Sequence, residues 1–192
     1  VVGHLYEPPL TRTVTQMDNM LFSNITLNPQ PLHIDRHFCE QETEWGQPLM
    51  NSLFTLGLMI GISVSDISNG TTIANLGMTD VKFPAPVFHG DTLRIRTTVQ
   101  TVRASGSRPE AGVVTFVHRA FKQDGTEVAS CARTALMRRK PAGSCVPSSA
   151  RRCARMPRTS MSSRSKAASA CAIGWTVCCT TSSRRRSACR RP

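Results

Sequence analysis

Residues 28–35 read NPQPLHID, and His33 within them is a side chain suited to moving a proton near neutral pH. Pro29 and Pro31 fix φ and bias the residue before each away from helix, so the segment is expected to be a stiff loop. A stiff loop can aim an imidazole as a general base, or hold it as an ordinary polar residue in a turn. The nearest acids are Asp35 and Asp18; Asp18 is read as a charge on the wet face of a first helix. His89 and Asp91, in FHGD at 88–91, are read as a turn before a strand. Six of the eight cysteines lie beyond residue 140, without a CxxC pair or any histidine among them, so no zinc site is expected.

The elements that must position His33 lie in the first 140 residues. The chain has 192 residues and a net charge of +12, but residues 141–192 hold 11 of the 24 Lys and Arg and none of the 12 acidic residues. The first 140 residues are therefore nearly neutral, and overall basicity is no argument for a nucleic-acid partner. The tail has no apolar periodicity and cannot bury enough surface to offset its ordering entropy. It reads as disordered or as the out-of-frame translation of a GC-rich gene, with a basic nucleic-acid arm as the alternative. Cys39 and Cys131, the two cysteines of the first 140 residues, suit a reducing compartment. The opening VVGHLYEPPL lacks the basic end and apolar core of a secretion signal, and LFTLGLMIGISVS at 53–65 is shorter than the ~20 residues that span a bilayer. A cytoplasmic protein without membrane partners is expected.

TRTVT at 11–15 reads as a short strand, and 15–26 as a helix capped by Thr15, with Met17, Met20, Leu21 and Ile25 at helical spacing. Residues 48–67 form the main helix candidate, with Pro48 near its start. They are apolar nearly all round, so the helix is expected to be wrapped by other structure. Strands are expected at 71–83, 91–104, 112–123 and 127–139, with Asp124-Gly125 as a hairpin turn. One antiparallel sheet curled round one apolar helix is a coherent α+β solution.

Four stretches, 11–35, GQPLMNSLF at 46–54, NLGMTDVKFPAPVFHGDTL at 75–93 and SRPEAGVVTFVHRAFKQDG at 107–125, resemble the MaoC-type dehydratases, the hot-dog-fold group of enoyl-CoA hydratases. The strings NPQPLH and NSLFT are similar to the branch acting on branched C5 dicarboxylic thioesters such as itaconyl-CoA and mesaconyl-CoA. The resemblance implies a hot-dog domain over residues 1–140, an acyl-CoA substrate, a homodimer, and a lyase that adds or removes water across the double bond of a short or branched enoyl-CoA. It implies no metal, flavin or redox cofactor.

The family grips its water with an Asp and a His five residues later. His33 matches the His, but Asn28 stands at the Asp position. Asn28 can hold a water yet cannot ionise, so His33 must carry more of the proton transfer, with Asp35 as a possible orienting charge. Asn28 could equally form an Asx turn. Asn51-Ser52 stands where relatives carry His-Gly, and backbone N–H groups there can form an oxyanion site at a helix N-terminus. The Asn51 side chain could reach a second substrate carboxylate; a helix cap is the plainer reading. Arg108 could bind CoA phosphates or sit as a solvated loop cation. A hot-dog thioesterase and a non-catalytic acyl-CoA-binding relative remain as rival readings.

Overall fold

The computed structural model describes residues 1–139, so the basic tail lies outside the described residues. The order is β1 (Leu5–Tyr6), β2 (Arg12–Thr13), α1 (Gln16–Thr26), α2 (Pro31–Ile34), α3 (Arg36–Glu42), α4 (Ser52–Ile67), β3 (Thr72–Lys82), β4 (Thr92–Ala104), β5 (Ala111–Phe121) and β6 (Glu127–Arg138). The strands form an antiparallel sheet in the order β1-β4-β5-β6-β3, with β2 also pairing to β4. The four long strands fall where hydrophobic alternation placed them, and the Asp124-Gly125 turn closes the β5–β6 hairpin with Gly125 at φ 94°. β1 was not anticipated, because two residues carry no periodicity.

α1 begins as expected at Thr15, whose hydroxyl accepts from Asp18 N–H while the Asp18 carboxylate accepts from Thr15 N–H. Asp18 also pairs with Arg12 at 2.6 Å, so it is a helix cap and an ion-pair partner rather than a loose surface charge. The stiff 28–35 loop is in part helical. Pro31 takes the first position of α2, where its missing N–H costs nothing. α3 follows unforeseen, capped by the Asp35 carboxylate on Phe38 N–H at 2.9 Å.

α4 starts later than expected. Residues before it run extended: Leu49 bridges to Phe88 and Met50 N–H donates to Val87 O at 2.9 Å. Asn51 then caps the helix. α4 packs one face onto the sheet through Met59, Ile62 and Ile67, which join two apolar clusters with Leu93, Ile95, Val99, Phe116 and Ala135. Its opposite face is not wrapped by the described residues: Leu53, Gly57, Gly61 and Ser65 are exposed at four-residue spacing. α4 is thus a helix half-covered by the described residues, where one wrapped all round was expected.

The sheet face beneath α4 is apolar except for one polar stretch. Val99, Phe116, Arg133 and Met78 stand opposite one another across β4, β5, β6 and β3. In the next row Thr97, His118 and Cys131 are opposite in the same way. His118 is completely buried, with Nδ1 2.8 Å from the Thr97 hydroxyl. Burial first, and the charge of Arg133 second, push its pKa down to about 3.

His118 is thus neutral when folded and protonates below about 6.5 when unfolded. The unfolded state binds the extra proton, so stability falls as pH drops from about 6.5 toward 3. Between pH 7 and pH 5 this one residue is expected to remove about 2 kcal/mol. Urea unfolding of the wild type and of His118→Gln at both pH values measures it. The pH-dependent loss should shrink by about that amount in the variant, and an equal loss in both proteins would refute the assignment.

Candidate active site at the start of the central helix

The site is built round a side chain that the sequence reading passed over. Asn19, on α1, is fully buried. Its Nδ2 donates to His33 O at 2.7 Å and to Leu49 O at 3.0 Å, and its Oδ1 accepts from Asn51 N–H at 3.0 Å. One amide therefore ties α1 to the His33 turn and to the strand that enters α4. Leu49 N–H also donates to Leu32 O at 3.0 Å, so the two segments are paired directly as well. No signal in the sequence marked it: Met17, Leu21 and Ile25, the apolar residues at helical spacing, are exposed, and the buried face of α1 carries Asn19 and Ser23.

His33 is half-buried, and its Nδ1 lies 2.8 Å from Leu49 O. A carbonyl oxygen only accepts, so Nδ1 carries the hydrogen of this bond. Nε2 is then the position at which the ring gains or loses a proton. Burying Cys39 beneath the turn braces it from below: the thiol lies 3.4 Å from Leu32 O.

The other expected residues are placed less directly. Asn28 Oδ1 accepts from Gln30 N–H at 3.1 Å, the Asx-turn arrangement, and no bond links it to His33. Asp35 is exposed and spent on capping α3, so it does not orient the imidazole. Asn51 is buried, its N–H is taken by Asn19 and its Oδ1 caps Leu53 N–H at 2.9 Å. Of the expected oxyanion pair only Ser52 keeps an N–H without a partner among the described residues, and the Asn51 side chain caps the helix with its oxygen, a bond that does not use its Nδ2 donors. Arg108 is not brought to the site. It is exposed in the turn between β4 and β5, while the site lies beside the other end of those strands, roughly 35 Å along β4. His89 and Asp91 do form a turn, with Asp91 Oδ2 accepting from Phe88 N–H at 2.9 Å and paired to Lys122 at 2.8 Å.

Beside the start of α4 opens a cleft lined by Trp45, Leu49, Ser52, Thr55, Pro86 and Val128 among others, and no Lys or Arg stands in its wall. Trp45, whose ring centroid is 6.1 Å from that of Phe88, was also missed; a lone Trp in a Glu- and Gly-rich turn carries no pattern. The cleft meets the positive end of the 16-residue α4 at Ser52, which favours a developing negative charge there.

Asn19→Ala removes three buried hydrogen bonds and should cost about 3 kcal/mol in chemical denaturation. Asn19→Asp, the same shape without the two N–H donors, should cost at least as much. A loss under about 0.5 kcal/mol for either would show that the three segments are held by something else.

Residues 1–120 match the family described as MaoC like domain. The chain is 34% identical over 98 residues to the mesaconyl-CoA hydratase of Cereibacter sphaeroides, covering 51% of this chain and 28% of that relative, so it spans under a third of the relative's length. A solved structure from Archaeoglobus fulgius, described as monoamine oxidase regulatory protein, is 31% identical with a TM-score of 0.66, covering 73% of this chain and 92% of that one. RV0216 of Mycobacterium tuberculosis, described as a double hotdog fold, aligns with a TM-score of 0.67 at 21% identity over 76% of this chain and 44% of its own. With the sheet, the central helix and the His33 turn in the expected places, the chain is a hot-dog α+β protein and belongs to the MaoC-like domain family.

Proposed function

We propose that the chain is a hydratase of enoyl-CoA thioesters, and the observation that carries this is the His33 Nδ1–Leu49 O bond beside the open start of α4. That bond commits the Nδ1 hydrogen and leaves Nε2 as the general base. Water loses a proton to Nε2 while its oxygen bonds to the β-carbon. The double-bond electrons move to the thioester oxygen, which the Ser52 N–H and the α4 dipole stabilise. The α-carbon then takes a proton from the imidazolium, so one water is added and His33 is restored. The relatives' printed activity supports this chemistry, and the reaction calls for no metal or redox cofactor.

Asn28, with its oxygen turned to Gln30 N–H, serves first as the brace of the turn. His33 therefore works without a carboxylate partner from its own loop. The working unit is a homodimer. β3 pairs only with β6 among the described residues, and it exposes Leu76, Met78 and Val81, while one face of α4 is uncovered by the described residues. Two copies joined along β3 would cover both surfaces. With no described helix long and apolar enough to cross a membrane, a cytoplasmic location fits this reading.

Loss of the conjugated thioester absorbance of crotonyl-CoA and mesaconyl-CoA, with product mass raised by one water, tests the activity. His33→Ala should lower kcat by about 100-fold or more while the protein stays folded. Release of free CoA instead would make the protein a thioesterase. Full activity in His33→Ala would remove His33 from the mechanism. Val81→Lys on the free edge should shift the sedimenting species from dimer to monomer.

A further inference from the structure

Two cavities meet at Trp45. The cleft at the start of α4 has a volume of about 240 Å³ and takes its wall from Trp45, Leu49 and Ser52 among others. A second cavity of about 400 Å³ is lined by Leu32, Phe38, Glu42, Glu44 and Trp45 among others. Trp45 alone is common to both walls. Leu49 N–H donates to Leu32 O at 3.0 Å, so a residue of one wall is bonded to a residue of the other and the cavities are adjacent. The Trp45 ring is held against Phe88, with 6.1 Å between centroids. Phe88 is itself fixed by its bridge to Leu49 and by the Lys122 ammonium, 5.4 Å from the ring centre. Trp45 keeps 37% of its surface exposed, so the indole is a braced wall rather than part of the core.

Charge and size decide what each cavity can take. The second carries two carboxylates, Glu42 and Glu44, and no Lys or Arg among the described residues, so it repels the phosphates of CoA. Its Leu32 and Phe38 suit an aliphatic chain instead. The cleft alone is smaller than the roughly 300–1,000 Å³ of ordinary small-molecule sites, and opened into its neighbour it would fall within that range. With the thioester oxygen at the Ser52 N–H, the acyl group lies in the cleft, and a chain that outgrows the cleft meets the indole. We infer that Trp45 is a specificity-determining residue that closes the acyl end of the cleft and restricts the enzyme to short acyl groups. The cavity behind it is an acyl extension that the indole keeps shut. This deepens the hydratase reading and rests on it.

The experiment uses the full chain and its Trp45→Ala and Trp45→Phe variants. The quantity read is the ratio of kcat/KM for trans-2-octenoyl-CoA to that for crotonyl-CoA. The ratio should rise by about 10-fold or more in Trp45→Ala, because even one methylene admitted to an apolar pocket is worth about that factor. It should rise by less in Trp45→Phe, which leaves a ring in the wall and reads the same direction if Trp45→Ala does not fold. Phe83 lines the cleft but not the second cavity, so Phe83→Ala should leave the ratio low. An unchanged ratio in the Trp45 variants, an equal loss on both thioesters, or the same rise in Phe83→Ala overturns the inference. Calorimetric binding of butyryl-CoA and octanoyl-CoA, which have no double bond to hydrate, reads the same preference without turnover. Their Kd ratio should move toward octanoyl-CoA in Trp45→Ala by a similar factor. If the wild type hydrates neither enoyl thioester, the hydratase reading falls alone and the Kd ratio decides the role of Trp45. An unmoved Kd ratio, or binding of neither saturated thioester, overturns that role.

Discussion

The three hydrogen bonds of Asn19 hold the site together. The His33 turn, the extended Leu49–Met50 segment and the start of α4 belong to separate stretches of chain, and none of them is long enough to fix its neighbours. α2 is a single turn and would not persist alone in water. A buried amide with two donors and an acceptor answers three backbone groups where α1 and α4 meet the turn, and of these Leu49 O is also held by His33 Nδ1. An apolar residue of the same size would fill the space and leave His33 O and the Asn51 N–H without the amide. The location of His33 therefore follows from a polar residue placed in an apolar environment, where its bonds are strong because water is absent.

Arg133 and His118 make the opposite case in the same core. Asn19 is buried with its amide hydrogens and oxygen engaged, whereas Arg133 and His118 keep unpaired nitrogen atoms under α4. Phe116, which lies against both the guanidinium and the imidazole, offers no acceptor. A fold that satisfies its polar groups so closely around Asn19 leaves the guanidinium of Arg133 without a hydrogen-bond partner at Nε and Nη2.

Much of the fold was legible because it rests on periodicity. The alternation of β4, with Leu93, Ile95 and Val99 inward against Arg94 and Arg96, survives as one buried and one wet face. The α1 start was readable in Thr15 and Asp18 because a capping box is local chemistry. Where tertiary contacts overrode local preference, the reading slipped. Pro48 suggested a helix start, but Leu49 and Met50 are claimed by backbone pairing to Phe88 and Val87. The turn that carries His33 was legible in its two prolines, whose effect on the backbone is local. Asn19, Trp45 and Arg133 were not, since nothing in a linear pattern tells a wet-face Asn or Arg from one that faces the core. For Arg133 a faint signal existed: Cys131, Ala135 and Met137 at two-residue steps mark an apolar face, and Arg133 interrupts it.

The uncovered face of α4 ties fold to chemistry. A helix that starts a site needs its N-terminus open to substrate and its flanks shielded, because a helix dipole and a lone N–H weaken sharply in water. In this chain the sheet shields one flank through Met59 and Ile62, while Leu53, Gly57 and Gly61 leave the other bare. Gly57 and Gly61 have no atom near where a side chain would stand, so the backbone there lies open to close approach by another surface. The same incompleteness appears at the edge of β3. A second copy that seals both would lower the dielectric round Ser52 and His33 at the same time as it buries Leu53 and Val81. In the proposed enzyme, assembly and oxyanion stabilisation are therefore linked through one surface, and weakening the interface should weaken catalysis even when His33 and Asn19 are untouched.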